Sequence, residues 1–466
     1  MKIKVCLSAL LCIFLLGTLK AQDALLFTKS EFKPAFKNLN YEENYSALSD
    51  STQRNTLWKK VKYIPLYKNS YLTFGGEVRA RMEIRNHLNY GTPLEDHGAN
   101  FQQRTRLWAN WHIAKPLRFF TEIQGATSHG LDAPPSPVDQ DQAEVHQAFL
   151  EYSDKLGDAS NFNVRVGRQE LAFGKFRLLD VRMPPNYRKS FDVIRAGFNV
   201  DMWRFDAIIG NEVRDVFGNF NDRTNENFKL IAGHVEKKFK KVLPNSSVEF
   251  MYMHTDRTVA PSRVFLGVRN SFSLRISGIE KGWNYDFEVI GQTGKSITGQ
   301  SIRAWYVGSE TNYTFPKSWK PYLGYRVDIA SGDKNSTDNR NTSYDFLWSR
   351  GTSWVPDLGF TNLTIIGPTA GTKPFKRFAV DFWAQWLWRN SIHDGLYKMS
   401  AGSQRLATTG TAKYVGFRTL IKLEYQITPF LVVGTYMDRT FSGTFLKESP
   451  TNKDLFYNTT FMVFRF

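Results

Sequence analysis

The feature of this sequence that most restricts its fold is a set of long segments in which apolar and charged side chains alternate. In residues 71–86, one set of alternate positions is apolar, as at Phe74 and Val78, and the other is charged, as at Arg79 and Arg81. A period of two predicts a β-strand with one apolar and one charged face. A strand of a soluble sandwich can show the same pattern, but common strands have only about five or six residues.

The alternation recurs further along the chain, in residues 285–292, 377–389 and 417–426. Aromatic residues make up 15% of the sequence. After residue 21, however, there is no apolar run of about eighteen residues, which a membrane-spanning helix would need. Several long strands with one apolar and one charged face are typical of a β-barrel whose outside contacts lipid and whose inside contacts water.

The connections between these segments alternate in length. Short turns are predicted at 115–116, 199–201, 280–282, 372–374 and 428–429, and long polar connections at 87–100, 125–140, 174–190, 213–225, 331–358, 391–412 and 442–453. Periplasmic turns and extracellular loops of outer-membrane barrels differ in this way. We therefore predict an all-β fold, a transmembrane antiparallel up-and-down β-barrel of about eighteen strands. Sixteen strands remain an alternative, because residues 362–366 form the weakest predicted strand.

The two ends of the chain differ from this pattern. Residues 1–21 combine a basic start, an apolar stretch and a small-residue cleavage site, which predicts a secretory signal peptide. Both cysteines, Cys6 and Cys12, lie within it, so no disulfide is expected in the mature chain. We interpret residues 22–69 as a periplasmic lead-in with a short helix, and residues 70–466 as the barrel. The final strand ends at Phe466, and its alternating aromatic pattern resembles the signal that the barrel assembly machinery recognises.

The charge of the chain favours an anionic partner. Removal of three lysines with residues 1–21 lowers the formal net charge from +17 to +14. An exported protein rarely meets nucleic acid, so we expect an anion-conducting lumen or contact with lipopolysaccharide in the outer membrane. The polar positions of the strands supply the predicted conduit residues: Arg79, Arg81, Arg104, Arg106, Arg165, Arg168, Arg195, Arg326 and Arg418. Guanidinium groups keep their charge and bind carboxylates through two hydrogen bonds.

An alternative role for these arginines is structural. They could form ion pairs inside the lumen with acidic residues of the same strands, namely Glu77, Glu83, Glu122 and Glu151. We expect each role to apply to part of the set.

Other chemical motifs are weak. Residues 291–296 resemble a phosphate-binding loop, but the glycine required five residues before Gly294 is missing. The histidines show no zinc-binding spacing, no Gly-x-Ser-x-Gly motif occurs, and no cofactor is expected. Asp333, Asn335 and Asp338 are a weak candidate for calcium, with solvated loop residues as the alternative.

One stretch resembles a known family. It contains Gly167-Arg-Gln-Glu170 and Gly174, followed by Arg177-Leu178 and Ser190-Phe-Asp192. This arrangement resembles the alginate export family of outer-membrane proteins. The resemblance implies an eighteen-stranded barrel that conducts an anionic polysaccharide. It also implies that Arg165, Arg168 and Arg195 belong to a basic conduit, towards which the loop 174–190 folds.

The sequence therefore predicts an outer-membrane pore for an anionic solute, an acidic polysaccharide or oligosaccharide. A general or substrate-selective anion porin is the alternative, and an outer-membrane enzyme is the third hypothesis. The expected partners are the acidic saccharide, outer-membrane lipid and lipopolysaccharide, and the assembly machinery at the strand that ends at Phe466.

Overall fold

The structure is a computed structural model that describes residues 36–91, 98–130, 135, 138–175, 177–181, 185–240, 245–260, 262–335, 337–349, 352, 355–400, 402–449 and 451–466. The predicted signal peptide, residues 1–21, and the first part of the lead-in, residues 22–35, lie outside this set. Within it, no helix has the length and apolar character needed to cross a membrane.

Eighteen long strands dominate the chain. They are β1 Tyr71–Asn86, β2 Gly98–Ala114, β3 Leu117–His129, β4 Asp141–Lys155, β5 Ser160–Gln169, β6 Phe191–Val200, β7 Trp203–Arg214, β8 Arg223–Phe239, β9 Ser246–Arg257, β10 Gly267–Glu280, β11 Trp283–Ser296, β12 Ser301–Thr314, β13 Tyr322–Ala330, β14 Leu363–Phe375, β15 Phe378–Arg389, β16 Tyr414–Gln426, β17 Leu431–Ser442 and β18 Leu455–Arg465.

The remaining elements are short. They are the α-helices α1 Leu57–Lys62 and α2 Thr444–Lys447, the 3-10 turns Asn40–Glu42, Ser46–Ser49, Ser51–Gln53, Arg263–Phe265 and Ala407–Thr409, and the two- or three-residue strands Ile64–Pro65, Arg340–Asn341, Leu396–Tyr397 and Ser403–Arg405.

The eighteen strands form a closed antiparallel barrel. Each strand pairs with the next in sequence, and β1 pairs with β18, where Val78 lies opposite Phe464. The predicted fold and the count of eighteen are thus confirmed, because the weakest predicted segment extends into the full strand β14. A closed barrel leaves no unpaired strand edge in the hydrocarbon region, where unpaired peptide groups would be costly.

The two faces of the barrel follow the alternation of the sequence. Phe74, Leu107 and Trp305 are exposed on the outside, whereas Arg79 and Arg104 are buried inside. A lysine or arginine facing lipid at the bilayer midplane costs about 2–4 kcal/mol, so the charged parity must face inwards. The outward parity is accordingly rich in exposed aromatic and aliphatic side chains.

The short turns lie at one end of the barrel and the long loops at the other. Lys281 and Gly282, with φ of 46° and 90°, form the two-residue turn between β10 and β11, as expected for a type I′ hairpin. The turn predicted at 372–374 is displaced. It lies at 376–377, because β14 continues to Phe375 through an irregularity in pairing between Thr372 and Phe375, which accommodates Pro374.

The lumen is occupied by three segments of the chain. Residues 36–62, which we call the N-terminal plug, lie in the short-turn end of the barrel. The described residues of the loop 170–190 and of residues 341–362 fold inwards, and the two loops meet where Leu179 bridges to Trp348. Apolar side chains of both loops, including Phe173 and Phe346, share one buried cluster with inward residues of the strands. Residues 36–62 of the predicted lead-in are therefore packed inside the barrel, whereas Leu66 and Tyr67 near its end are exposed.

Candidate functional site in the lumen

The predicted conduit arginines divide by the face they occupy. Eight of the nine lie on the inward parity of their strands. Arg168 lies on the opposite parity from Arg165, three residues away on β5, and pairs with Asp192 through contacts of 2.9 and 3.2 Å. The structure thus places Arg168 outside the group that lines the lumen.

Most of the inward arginines are paired with carboxylates of the same lumen. Arg104 contacts Glu77 at 2.6 Å, Arg106 contacts Glu122 at 2.7 Å, and Arg81 contacts Glu83 at 2.8 Å. Arg165 donates to Glu151, Arg195 to Asp206, Arg326 to Asp328 and Arg418 to Asp357. Because a paired guanidinium exerts a weaker field than an isolated one, the lumen is less basic than a count of its arginines suggests.

The first hairpin holds one of the inward loops. Arg79 on β1 lies directly opposite Arg104 on β2. Arg79 donates to Asn186 Oδ1 at 2.9 Å, and Arg104 donates to the Asn186 carbonyl at 3.3 Å. Asn186 also donates to the Gln103 carbonyl at 3.0 Å. These arginines therefore fix the loop 170–190 against the barrel.

The family-like motif forms a buried charge network around Glu170. Its carboxylate accepts from Arg188 at 2.5 and 2.8 Å, from Arg106 at 3.2 Å and from His146 at 3.0 Å. Burial alone would raise the pKa of Glu170, but the Arg106 and Arg188 guanidiniums hold it well below its usual range. Glu170 and Arg188 stand at the two ends of the inward loop, so this network closes the loop on itself.

Glu170, His146 and Glu122, which pairs with Arg106, lie close enough together to be metal ligands. Glu122, His146 and Glu170 are buried, with potential ligand atoms within 4.8 Å of one another. Arg106 contacts both carboxylates and Arg188 contacts one of them, so two cations already occupy the positions around these oxygens. An added metal ion would meet strong like-charge repulsion, and the cluster is best described as an ion-pair network.

A second group of cations surrounds an open cavity, the arginine recess. It is defined by Arg118 on β3, Arg165 on β5, Arg195 on β6 and Arg204 on β7, and its volume is 260 Å³. Arg165 and Arg195 lie directly opposite each other, an arrangement that destabilises a sheet unless acids offset it. Glu151 contacts Arg118 and Arg165, and Asp206 contacts Arg195 and Arg204.

The N-terminal plug forms one side of this recess. The Tyr41 ring lies 4.2 Å from the Arg165 guanidinium, and the Tyr41 carbonyl accepts from Arg118 at 2.8 Å. Glu42 also lines the recess, which therefore has four guanidiniums and three carboxylates. Arg204 is the most exposed of the four, with 36% of its side chain accessible. Sequence reasoning missed Arg118 and Arg204, although both occupy the polar parity of predictable strands.

The calcium candidates take part in local hydrogen bonds. The Asp333 carboxylate accepts from Thr342 at 3.2 Å, Asn335 Oδ1 accepts from the Thr337 hydroxyl at 2.7 Å, and Asp338 accepts from the Arg340 backbone at 2.8 Å. Asn335 and Asp338 thus stabilise their own turns of the long loop, and Asp333 joins two parts of the loop that are nine residues apart.

The plug is held by polar and aromatic contacts with the barrel. Trp58 packs edge-on against Phe430 with ring centroids 5.3 Å apart, and Lys62 donates to the Phe466 carbonyl at 2.9 Å. Tyr41 donates its hydroxyl to the Glu170 carbonyl at 2.8 Å, and Arg188 donates to the Asn38 carbonyl at 2.8 Å. The plug therefore contacts the same network that closes the inward loop.

Lys62 gives the docking of the plug a pH dependence. Burial lowers the pKa of Lys62 from 10.5 to about 8, although Glu43, 4.0 Å away, acts in the opposite direction. Between pH 8 and 10 the docked plug binds fewer protons than a detached one, so we expect docking to strengthen as pH rises through this window. Above pH 10 the buried Tyr41 and Tyr45, whose pKa values docking raises from 10.0, act in the opposite direction. Protection of the plug from protease should increase accordingly between pH 8 and 10. In Lys62→Met this increase should disappear, and its persistence would contradict the assignment.

The lipid-facing exterior, the charged lumen and the alternation of turns and loops define the class of protein: it is an outer-membrane β-barrel channel. The sequence model of a family described as alginate export matches residues 70–454. The chain therefore belongs to the alginate export family, as its motif predicted. No curated protein matches it.

Solved outer-membrane proteins of Pseudomonas aeruginosa share the fold. OpdK has a TM-score of 0.58 at 8% identity over 85% of this chain and 98% of its own. OccK2 (OpdF), solved in complex with glucuronate, has a TM-score of 0.55 at 11% identity over 84% and 96%. OccD3 (OpdP) has a TM-score of 0.56 at 11% identity over 87% and 93%. These similarities support the barrel fold.

Proposed function

We propose that the channel passes an acidic saccharide whose carboxylates are bound transiently by the arginine recess, and that the N-terminal plug closes this route only while it is docked. The observation that carries the proposal is the grouping of Arg118, Arg165, Arg195 and Arg204 around one open cavity of the lumen. Each uronate unit carries a carboxylate, for which a guanidinium is a geometrically matched partner.

The carboxylates of the recess make such binding reversible. Arg195 and Arg204 share Asp206, and Arg118 and Arg165 share Glu151. A substrate carboxylate must compete with these internal partners, which limits its affinity. Conduction requires binding that permits both entry and release, and a partly neutralised basic site meets this requirement.

The comparisons support a carboxylate substrate without identifying it. The family description names alginate export, and OccK2 was solved with glucuronate. An acidic polysaccharide is therefore our first proposal, and a small-anion porin is the second. The second is favoured by the size of the recess, whose 260 Å³ suits a single small carboxylate better than a chain.

We expect Arg118→Gln combined with Arg204→Gln to reduce anion preference and the passage of acidic oligosaccharides several-fold. The barrel should still assemble, because Glu151 keeps Arg165 and Asp206 keeps Arg195 as partners. The measurement is liposome uptake of uronate oligomers beside neutral oligomers of equal length, with reversal potentials at low salt, where screening is weak.

The matched control is Arg275→Gln combined with Arg326→Gln, which removes two lumen cations from β10 and β13, outside the recess. If the control pair reduces acidic passage as much as the recess pair does, selectivity comes from overall lumen charge and the recess has no special role. Passage of glucuronate monomers but not of oligomers through the wild type would favour the small-anion porin.

A further inference from the structure

Three aromatic side chains lie in one register row across the outer surface of strands β9 to β12. Tyr252 on β9 lies opposite Phe272 on β10, Phe272 lies opposite Gly291 on β11, and Gly291 lies opposite Trp305 on β12. Phe272 and Trp305 expose 42% and 44% of their surface. Aromatic girdles of this kind lie at the membrane–water interfaces of outer-membrane barrels.

Three cations lie beyond this row, towards the long loops. Arg303 is two residues from Trp305 on the same outward face of β12, about 7 Å further along the strand. Lys295 on β11 and Arg340 on its short strand lie on either side of Ser301 in register, about 10 Å from each other across two strand spacings. We call Lys295, Arg303 and Arg340, which are all exposed, the basic rim patch.

The patch is poorly neutralised by the protein. Within the part of the chain that the structure describes, no carboxylate oxygen lies within 4.0 Å of the charged nitrogens of these three residues. Asp338, whose carboxylate accepts from the Arg340 backbone at 2.8 Å, forms no ion pair with the patch and offsets only part of its charge. Asp256, the acid in the same register row on β9, lies opposite Lys229 and two strands away from Lys295. The patch thus combines three positive charges on a lipid-facing surface at headgroup depth.

Because the long loops mark the outer side of the membrane, this depth coincides with the outer leaflet. We propose that the basic rim patch binds the phosphate groups of lipopolysaccharide. Cations near an anionic membrane surface attract it individually by modest amounts, and several of them together produce selective retention. The alternating pattern explains why Lys295 and Arg303 do not add to the lumen, because they belong to the parity that faces the membrane, and Arg340 pairs in register beside Ser301 of the same parity.

The test compares two variants of the full chain, each lacking three positive charges. The patch variant is Lys295→Gln, Arg303→Gln and Arg340→Gln. The control is Lys317→Gln, Lys373→Gln and Lys376→Gln, three exposed lysines at the short-turn end of the barrel. Both are purified from outer membranes in mild detergent and checked for folding by heat-modifiable migration on gels.

Lipopolysaccharide retained per protein should fall about tenfold in the patch variant and stay at the wild-type level in the control. On addition of diphosphorylated lipid A, the thermal stability of the wild type and of the control should rise, and that of the patch variant should not. Equal retention in the folded patch variant and the wild type would overturn the proposal. An equal rise with phosphatidylglycerol and with lipid A would also overturn it, since the patch would then respond to any anionic lipid.

Discussion

Deletion of residues 36–62 is expected to raise the single-channel conductance several-fold while leaving the barrel folded. The plug fills the short-turn end of the lumen with Tyr41, Tyr45 and Trp58, which belong to one buried cluster with Trp108 and Phe120 of the strands. The eighteen strands close through β1 and β18 without any contribution from the plug. Removal should therefore open the lumen without creating an unpaired strand edge.

A reversible experiment separates closure by the plug from a general effect of truncation. Gln147 donates to Asn40 across the interface between the plug and β4 at 3.3 Å. Cysteines at both positions, joined by a short bifunctional thiol reagent, should hold the plug in place and reduce conductance below that of the uncrosslinked channel. Cleavage of the linker should restore it, and single-cysteine variants are the controls. A folded deletion variant with wild-type conductance would show that the plug does not close the channel.

Replacement of Glu170 by glutamine is expected to destabilise the inward loop by about 3–5 kcal/mol, because it leaves buried guanidinium charge uncompensated. Glu170 is fully buried and accepts hydrogen bonds from Arg106, Arg188 and His146. The loop 174–190 should become accessible to protease, and the conductance should fluctuate more because the loop leaves the lumen intermittently.

The pH dependence of the wild type provides an independent measurement. Because the folded pKa of Glu170 lies well below 4.5, its contribution to stability is complete above pH 4.5 and is lost as pH falls below that value. In Glu170→Gln, this loss of loop stability at low pH should be absent. Glu310→Gln is the control, since the pair of Glu310 with Lys175 is partly exposed and worth at most about 1 kcal/mol. If the loop in Glu170→Gln is as resistant to protease as the loop in the control Glu310→Gln, the network does not hold the loop.

Much of the barrel could be predicted because its signals are local. Strand β1 begins and ends where the alternation predicted, at Tyr71 and Asn86, and the count of eighteen follows from alternation and turn spacing. The signal for the polarity of each face is also local, because the period of two assigns Arg79 and Arg104 to the lumen before any strand pairing is known. The sequence predicted two roles for the lumen arginines, and one of them was ion pairing with Glu77, Glu83, Glu122 and Glu151.

The composition of the site depended on contacts between residues far apart in the chain. Glu170 meets Arg106 across 64 positions, and Tyr41 meets Glu170 across 129, so neither contact leaves a periodic signal in the sequence. The sequence by itself determined a closed barrel with a charged lumen, because alternation encodes which face each side chain occupies. Only the tertiary structure decided which arginines are neutralised, which remain around an open recess and which segments fill the lumen, because strand register and loop packing bring those charges together.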